Sequence, residues 1–228
     1  MPVHREFLPD PLPPEPLAVA ASWLAQAQAL ALQPNPNAMV LATADAQGMP
    51  SARVVLCKEL LADPGVLTFY TNYLSRKGRE LNANPHAAAV MHWDVLRRQL
   101  RVEGRITRTT AAESDTYFAS RAWQSRIGAW ASEQSAPLAT RGDLHASVKR
   151  VAERFGAPMP GEDLTAADPG VAIPRPPHWG GFHLWAESVE LWVEGSARIH
   201  ERARWTRVLL PAAGGFTPGP WSATRLQP

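Results

Sequence analysis

The chain has 228 residues, 45% of them hydrophobic, with a formal charge of +2 and a single cysteine, Cys57. That length and apolar content support a real core, and the near-neutral balance argues against a dedicated nucleic-acid binder, which carries a strong basic stripe. One cysteine excludes an internal disulfide and suits a reducing compartment. With no apolar run near 18 residues and no signal-peptide core in "MPVHREFLPDPLPPEP", the expectation is a cytoplasmic protein without a membrane span.

Residues 1–16 are rich in proline and are expected to form a flexible segment, leaving 17–228 as a single domain. From Leu17 to Leu32, the apolar Leu17, Ala20, Ala21, Leu24, Ala27 and Ala31 keep helical spacing. "PNPN" at 34–37 stops that helix. Short β-type runs follow, "AMVLATA", "SARVVLCK" and "VLTFYT", separated by turns at "DAQGMP" and "ADPG". "TNYLSRKGRELNANP", residues 71–85, then predicts a short helix capped by Ser75. "HAAAVMHW" and the alternating "RRQLRVEGRITRT" read as the next strands.

"TAAE" at 110–113 is a capping box that opens a helix through "ESDTYFASR", and a second helix spans "LATRGDLHASVKRVAERF". Residues 156–178 read as a loop. Two strands, "GGFHLWAESVELWV" and "ARIHERARWTRVLL", are joined by a tight turn at Glu194-Gly195, and "WSATRLQP" makes a last short strand. This order predicts an α+β, mainly β fold: an antiparallel barrel with a few helices.

Several common sites are missing. Neither a P-loop nor a dinucleotide-binding glycine motif is present, and no G-x-S-x-G elbow occurs. There is no C-x-x-C, and His4, His86, His92, His145, His178, His183 and His200 show no ligand spacing, so no metal site is expected. Basic and hydroxyl residues at strand ends and helix starts remain, which suits phosphorylated small molecules.

Of 23 basic side chains, lysine supplies only Lys58, Lys77 and Lys149. Arg76, Lys77 and Arg79 fall where a helix begins, although a helix N-terminus disfavours cations. Either they are solvated or an anion belongs there. Lys58 is either an ordinary strand-end lysine or part of the same chemistry. Cys57 reads as a small buried hydrophobe rather than a nucleophile. In "ARIHER", period two puts Arg198, His200 and Arg202 on one face of a strand, which must meet solvent or an anion. Trp192 sits at a strand end, where an aromatic can pack on a flat ligand.

Taken in order, seven fragments resemble the pyridoxamine/pyridoxine 5′-phosphate oxidase family. They are "PNAMVLATADAQGMPSARVVLCK", "FYTNYLSRKGRELNANP", "RRQLRVEGRI", "YFASRAWQSRIGAWASEQS", "HWGGF", "VELWVEGSARIHER" and the ending "W…RLQP". The resemblance implies an FMN-binding split β-barrel of six to eight mostly antiparallel strands with peripheral helices. It also implies a homodimer with FMN at the subunit interface. Implied FMN-binding positions are Arg53, Val54, Val55, Leu56, Cys57, Lys58, Tyr70, Thr71, Arg76, Lys77, Gln99, Gln134, Ser135, Trp192 and Arg202.

Lys58, Tyr117, Arg121 and Ser125 would hold the substrate phosphate, with Arg198, Ile199 and His200 over its ring and Arg198 and His200 as the catalytic pair. The implied reaction takes pyridoxamine or pyridoxine 5′-phosphate to pyridoxal 5′-phosphate, with hydride passing to flavin N5 and dioxygen reduced to hydrogen peroxide. A sister flavin oxidase of the phenazine-biosynthesis type and a non-enzymatic FMN- or pyridoxal-phosphate-binding protein are the alternatives. The pattern departs from the family at Ala122, Trp123 and Arg126, and Trp123 lies between Arg121 and Ser125. A strict strand sends Arg53 and Lys58 to opposite faces, so they share a site only through a bulge, a backbone contact or the dimer arrangement.

Overall fold

The computed structural model describes residues 7–31, 33–161 and 163–228. Residues 1–6 of the proline-rich segment, including His4, lie outside the described residues, as do Leu32 at the end of the first predicted helix and Glu162 in the predicted loop. The elements in chain order are α1 (Pro16–Leu30), β1 (Ala38–Ala44), β2 (Pro50–Leu56), β3 (Glu59–Leu61), β4 (Val66–Asn72), α2 (Arg76–Ala83), β5 (His86–Trp93) and β6 (Arg98–Arg108). Then come α3 (Ala111–Ala119), α4 (Trp123–Ala131), α5 (Arg141–Phe155), β7 (Trp179–Val193), β8 (Glu201–Thr206), β9 (Leu209–Ala212), β10 (Gly215–Pro218) and β11 (Ser222–Leu226). The mainly β, α+β class holds. The strands beyond the predicted set are short: β3 has three residues, β9 and β10 four each.

The chain forms two compact units. The first gathers the described part of residues 1–69 with 83–107 and 183–228. Its sheet runs β11-β8-β7-β6-β5-β1-β2, with β4 pairing β3 and β7. Period-two patterning builds it: along β6, Arg98, Leu100, Val102, Gly104 and Ile106 turn inward while the residues between them do not. α1 buries Leu17, Ala20, Trp23 and Ala27, and Trp23 meets Trp93 edge-on at 6.5 Å. Of the proline-rich segment, Leu8 is buried, its N–H donates to Glu201 at 2.7 Å, and the Pro13 carbonyl accepts from Trp205 Nε1.

Cys57 belongs to this core, 3% exposed, with its Sγ–H donating to the Glu59 carbonyl at 3.1 Å. Burial pushes the thiol from 9.0 up to about 12. The unfolded thiol ionises first, so this group takes stability away as pH climbs from 9.0 toward about 12. The native protein is therefore expected to resist a disulfide-exchange thiol reagent at pH 8 and to react fully once denatured. Rapid labelling of folded protein would refute this.

The second unit holds residues 70–82 and 108–182. Ser75 caps α2 as the sequence predicts, accepting from the Gly78 N–H at 3.3 Å. Thr110 and Glu113 make the predicted capping box of α3, and Thr140 with Asp143 makes one at α5. α4 went unpredicted, because its N-cap Ala122 makes no side-chain hydrogen bond. Its apolar Trp123, Ile127, Trp130 and Ala131 do keep helical spacing. They pack with α5 around Trp123, Ile127, Ala152 and Ile173.

One predicted strand is corrected. "ARIHERARWTRVLL" does not run as one strand: Ser196–Arg198 form a 3₁₀ turn, and β8 begins at Glu201. Ala197 and Arg198 take left-handed φ angles of 54° and 63°, which no strand accommodates. A Cβ at Gly195 would run into the Ile199 carbonyl, so glycine is what lets the chain close here. Arg198, His200 and Arg202 therefore share no strand face.

Candidate functional site

In the second unit the paired bases at the start of α2 go opposite ways. Lys77 turns inward, 8% exposed, and its Nζ donates to Gln134 Oε1 at 2.9 Å, Thr71 Oγ1 at 3.1 Å and Ser75 Oγ at 3.3 Å. Arg76 turns out to Glu80, Nε to Oε1 at 2.8 Å, an i,i+4 pair with the arginine side chain 58% exposed. Arg79 donates to the Leu74 carbonyl at the surface. The three oxygens around the Lys77 ammonium are neutral, and it sits at a helix N-terminus. An ammonium beside the N–H groups of a helix start is a suitable place for an anion. Ser135, next to Gln134, takes a left-handed φ of 72°.

The same unit stacks three aromatic rings. Tyr70 lies 4.0 Å from Tyr117 at 18°, and Trp179 continues the stack 5.6 Å from Tyr70. The Arg121 guanidinium rests over Trp179 at 4.8 Å and over Phe118 at 5.4 Å. Among the described residues, its buried Nη1 has no hydrogen-bond partner. Burial pulls the guanidinium's pKa down, offset in part by Tyr117. A cation held this way carries an unused donor and an unpaid desolvation cost, both of which an anion would relieve. Ser125 is half-buried one turn along, on α4. Trp123, between them in sequence, points into the hydrophobic cluster with Ile127.

In the first unit, Arg53 on β2 donates to the Leu41 carbonyl at 3.3 Å and to Thr43 and Ser51. Val54 stands 64% exposed beside it, with Val55 and Leu56 half-buried. β2 ends at Leu56, so strand alternation no longer governs Lys58, whose N–H donates to the Thr68 carbonyl at 2.8 Å. Lys58 borders a cavity of about 280 Å³ shared with Cys57, Glu59 and α1. Gln99 is half-buried on β6, opposite His92.

Trp192 and His200 come together with ring centroids 4.7 Å apart. The Gly195 N–H donates to His200 Nδ1 at 3.2 Å, which leaves the proton of a neutral imidazole on Nε2. Arg198 and Ile199 are exposed in the turn between them, Ile199 at 68%.

Arg202 is held by a residue the sequence reading missed, the buried Glu190 on β7. Its Nε and Nη2 donate to Glu190 Oε1 at 3.0 and 2.8 Å. Arg101 and Arg204 reach Glu190 Oε2 at 3.3 and 3.1 Å. Burial raises the carboxyl's pKa, but hydrogen bonds from Arg202 and Arg204 and the charges of Arg202 and Arg101 bring it below the usual range. A signal existed: "VELW" and "ERAR" flank one hairpin, and register pairs Glu190 with Arg204 across it. Trp179 was missed as well, since its stacking partners lie far away in sequence.

The implied residues thus form local groups: Thr71, Lys77 and Gln134 around one ammonium, Tyr70 with Tyr117, and Trp192 with His200. Arg76 and Arg198 stand apart from these contacts. Among the described residues, no helix is long and apolar enough to cross a membrane.

Comparison with known proteins bears on these groups. A family model described as pyridoxamine 5′-phosphate oxidase matches residues 25–155. A second, the pyridoxine 5′-phosphate oxidase C-terminal dimerisation region, matches 179–228. A pyridoxine/pyridoxamine 5′-phosphate oxidase of Paracoccus denitrificans is 48% identical over 195 residues, covering 85% of this chain and 82% of that protein. One of Cereibacter sphaeroides is 46% identical over 214 residues, covering 94% and 95%. Among solved structures, PhzG from Burkholderia lata, in complex with tetrahydrophenazine-1-carboxylic acid, matches with a TM-score of 0.78 at 29% identity, covering 96% of this chain and 95% of that one. A pyridoxamine 5′-phosphate oxidase-related, FMN-binding protein of Nostoc punctiforme matches at 0.64 and 18% identity, over 95% and 99%, and shares the fold. The split-barrel class expected from the sequence stands.

Proposed function

This chain belongs to the pyridoxamine 5′-phosphate oxidase family, and we propose that it oxidises pyridoxamine 5′-phosphate, and pyridoxine 5′-phosphate, to pyridoxal 5′-phosphate with FMN and dioxygen. The observation that carries this reading is Arg121: a guanidinium on an aromatic stack whose buried Nη1 has no partner among the described residues, a donor that a phosphate oxygen would satisfy. Tyr117 and Ser125 add hydroxyl donors for the same phosphate, and Lys58 a fourth group. Homodimerisation fits the match to a dimerisation region.

Bound FMN supplies the acceptor for the electron pair lost at the substrate's C4′. The residues present suit it: Lys77, already at a helix N-terminus among neutral oxygens, binds its phosphate, with Arg76, Arg53, Thr71, Gln134 and Ser135. Val54, Val55, Leu56 and Cys57 contribute backbone, and Tyr70, Gln99, Trp192 and Arg202 complete the set. His200, oriented by the Gly195 N–H, presents Nε2–H to the substrate ring, and Arg198 covers that ring.

Purified protein is expected to be yellow, or to become so with FMN, and to form aldehyde and consume oxygen with either phosphorylated substrate. A colourless protein that cannot be reconstituted would overturn the reading. Lys77→Ala is expected to weaken FMN binding by about 10–100-fold, since a hydrogen bond to a charged group contributes about 1.5–3 kcal/mol. Unchanged affinity in a fluorescence titration would remove Lys77 from the site. The likeness to PhzG favours a second reading, a sister oxidase acting on a tricyclic acid, because fold alone does not separate the two. A flavoprotein inert to both phosphates but active on such an acid would establish it.

A further inference from the structure

We propose that Glu190 is a positioning residue that orients Arg202 for the cofactor, an inference that rests on the FMN reading above. Glu190 lies in β7 with only 3% exposure, and both its oxygens are taken by guanidinium groups from the flanking strands. A buried ion pair built for stability would balance its charges. Here one carboxylate gathers Arg101, Arg202 and Arg204, and among the described residues Arg101 alone of the three pairs with a further acid, the half-exposed Glu103 at 2.9 Å. Three guanidinium groups thus meet two carboxylates, one of them half-exposed, and the excess positive charge suits a surface that meets an anionic or electron-rich ligand.

The three arginines are not equivalent. Arg204 and Arg101 each give Glu190 one N–H, whereas Arg202 gives two to the same oxygen and a third, from Nη1, to the Gln227 carbonyl at 3.2 Å. An arginine has five N–H donors fixed in one plane. Three contacts, two to Glu190 and one to the Gln227 carbonyl, hold that plane and leave two N–H groups to face a ligand. Trp192, the other member of the FMN set on this hairpin, is the cross-strand partner of Arg202. Glu190 thus sets the direction in which Arg202 presents its remaining donors, without itself touching the cofactor.

The test is a double-mutant cycle read by FMN titration and by the visible spectrum of bound flavin, using the intact chain. Glu190→Gln keeps the shape and removes the charge, and is expected to weaken FMN binding about 10-fold. Arg202→Ala is expected to weaken it at least as much. The double variant is expected to bind no worse than Arg202→Ala alone, because Glu190 acts through Arg202. Losses that multiply would overturn the proposal. Glu190→Asp keeps the charge but falls short by one methylene; it too is expected to lose affinity and shift the flavin spectrum, and wild-type affinity there would overturn an orienting role. If Glu190→Gln does not fold, the Asp variant alone decides. FMN bound by the wild type with multiplying losses sinks this inference only, whereas a wild type that binds no FMN sinks the proposed function and this inference with it.

Discussion

Arg198→Gly is expected to make the protein more stable and far less active. Arg198 and Ala197 hold consecutive left-handed φ angles of 63° and 54°. For a residue with a Cβ that conformation costs about 1–2 kcal/mol, and glycine returns part of this as extra freedom in the unfolded chain. The net gain should be about 0.5–1 kcal/mol, a rise in melting temperature of roughly 1–4 °C for a chain of this size. Arg198 is exposed, so little buried contact is lost with its side chain. Its strain is the kind kept at a working position. With the side chain gone, kcat/KM should fall by roughly 10²-fold or more, while flavin stays bound. Melting curves and steady-state rates together check this. A variant that keeps its turnover, or one that loses flavin, would show that Arg198 does not serve the substrate.

The second large effect falls on substrate choice. Arg121→Ala removes the guanidinium that lies over Trp179 with a buried N–H unpartnered. Folding should suffer little, because the deletion also removes an unsatisfied donor whose burial already pulls its pKa down. Binding of a phosphorylated substrate should weaken by about 10²-fold, the scale of one to two charge-assisted hydrogen bonds. The measurement is the ratio of kcat/KM for pyridoxamine 5′-phosphate over pyridoxamine. It should collapse in the variant, with the unphosphorylated amine nearly unaffected. An unchanged ratio would place the phosphate elsewhere.

Both variants act on residues that could be named in the sequence, but for reasons invisible there. Arg198 was expected on a strand beside His200 and Arg202. The structure instead puts it in a strained turn that depends on Gly195. Alternation of side chains says nothing about a backbone that leaves the strand. Arg76 and Lys77 looked alike as bases at a helix start, yet only Lys77 is buried. Neighbouring helix positions point about 100° apart, and which direction is the inward one depends on Thr71 and Gln134 arriving from other segments. Trp123 stood out as an intruder between Arg121 and Ser125, and it proves to be a core residue of the cluster with α5.

By itself the sequence determined the elements whose signals are local. β1 and β5 fall on their predicted residues, and the capping box at Thr110 starts α3 where the pattern says. Backbone hydrogen bonds, caps and apolar periodicity involve residues a few positions apart, so the chain declares them directly. Tertiary structure alone decided the groups on which chemistry would depend. Lys77 with Gln134, the Tyr70–Tyr117–Trp179 stack, and Arg101 and Arg202 on Glu190 join residues 12 to 109 positions apart. Buried charge and ring stacking depend on distance and direction in space, and those exist only once the distant segments have packed.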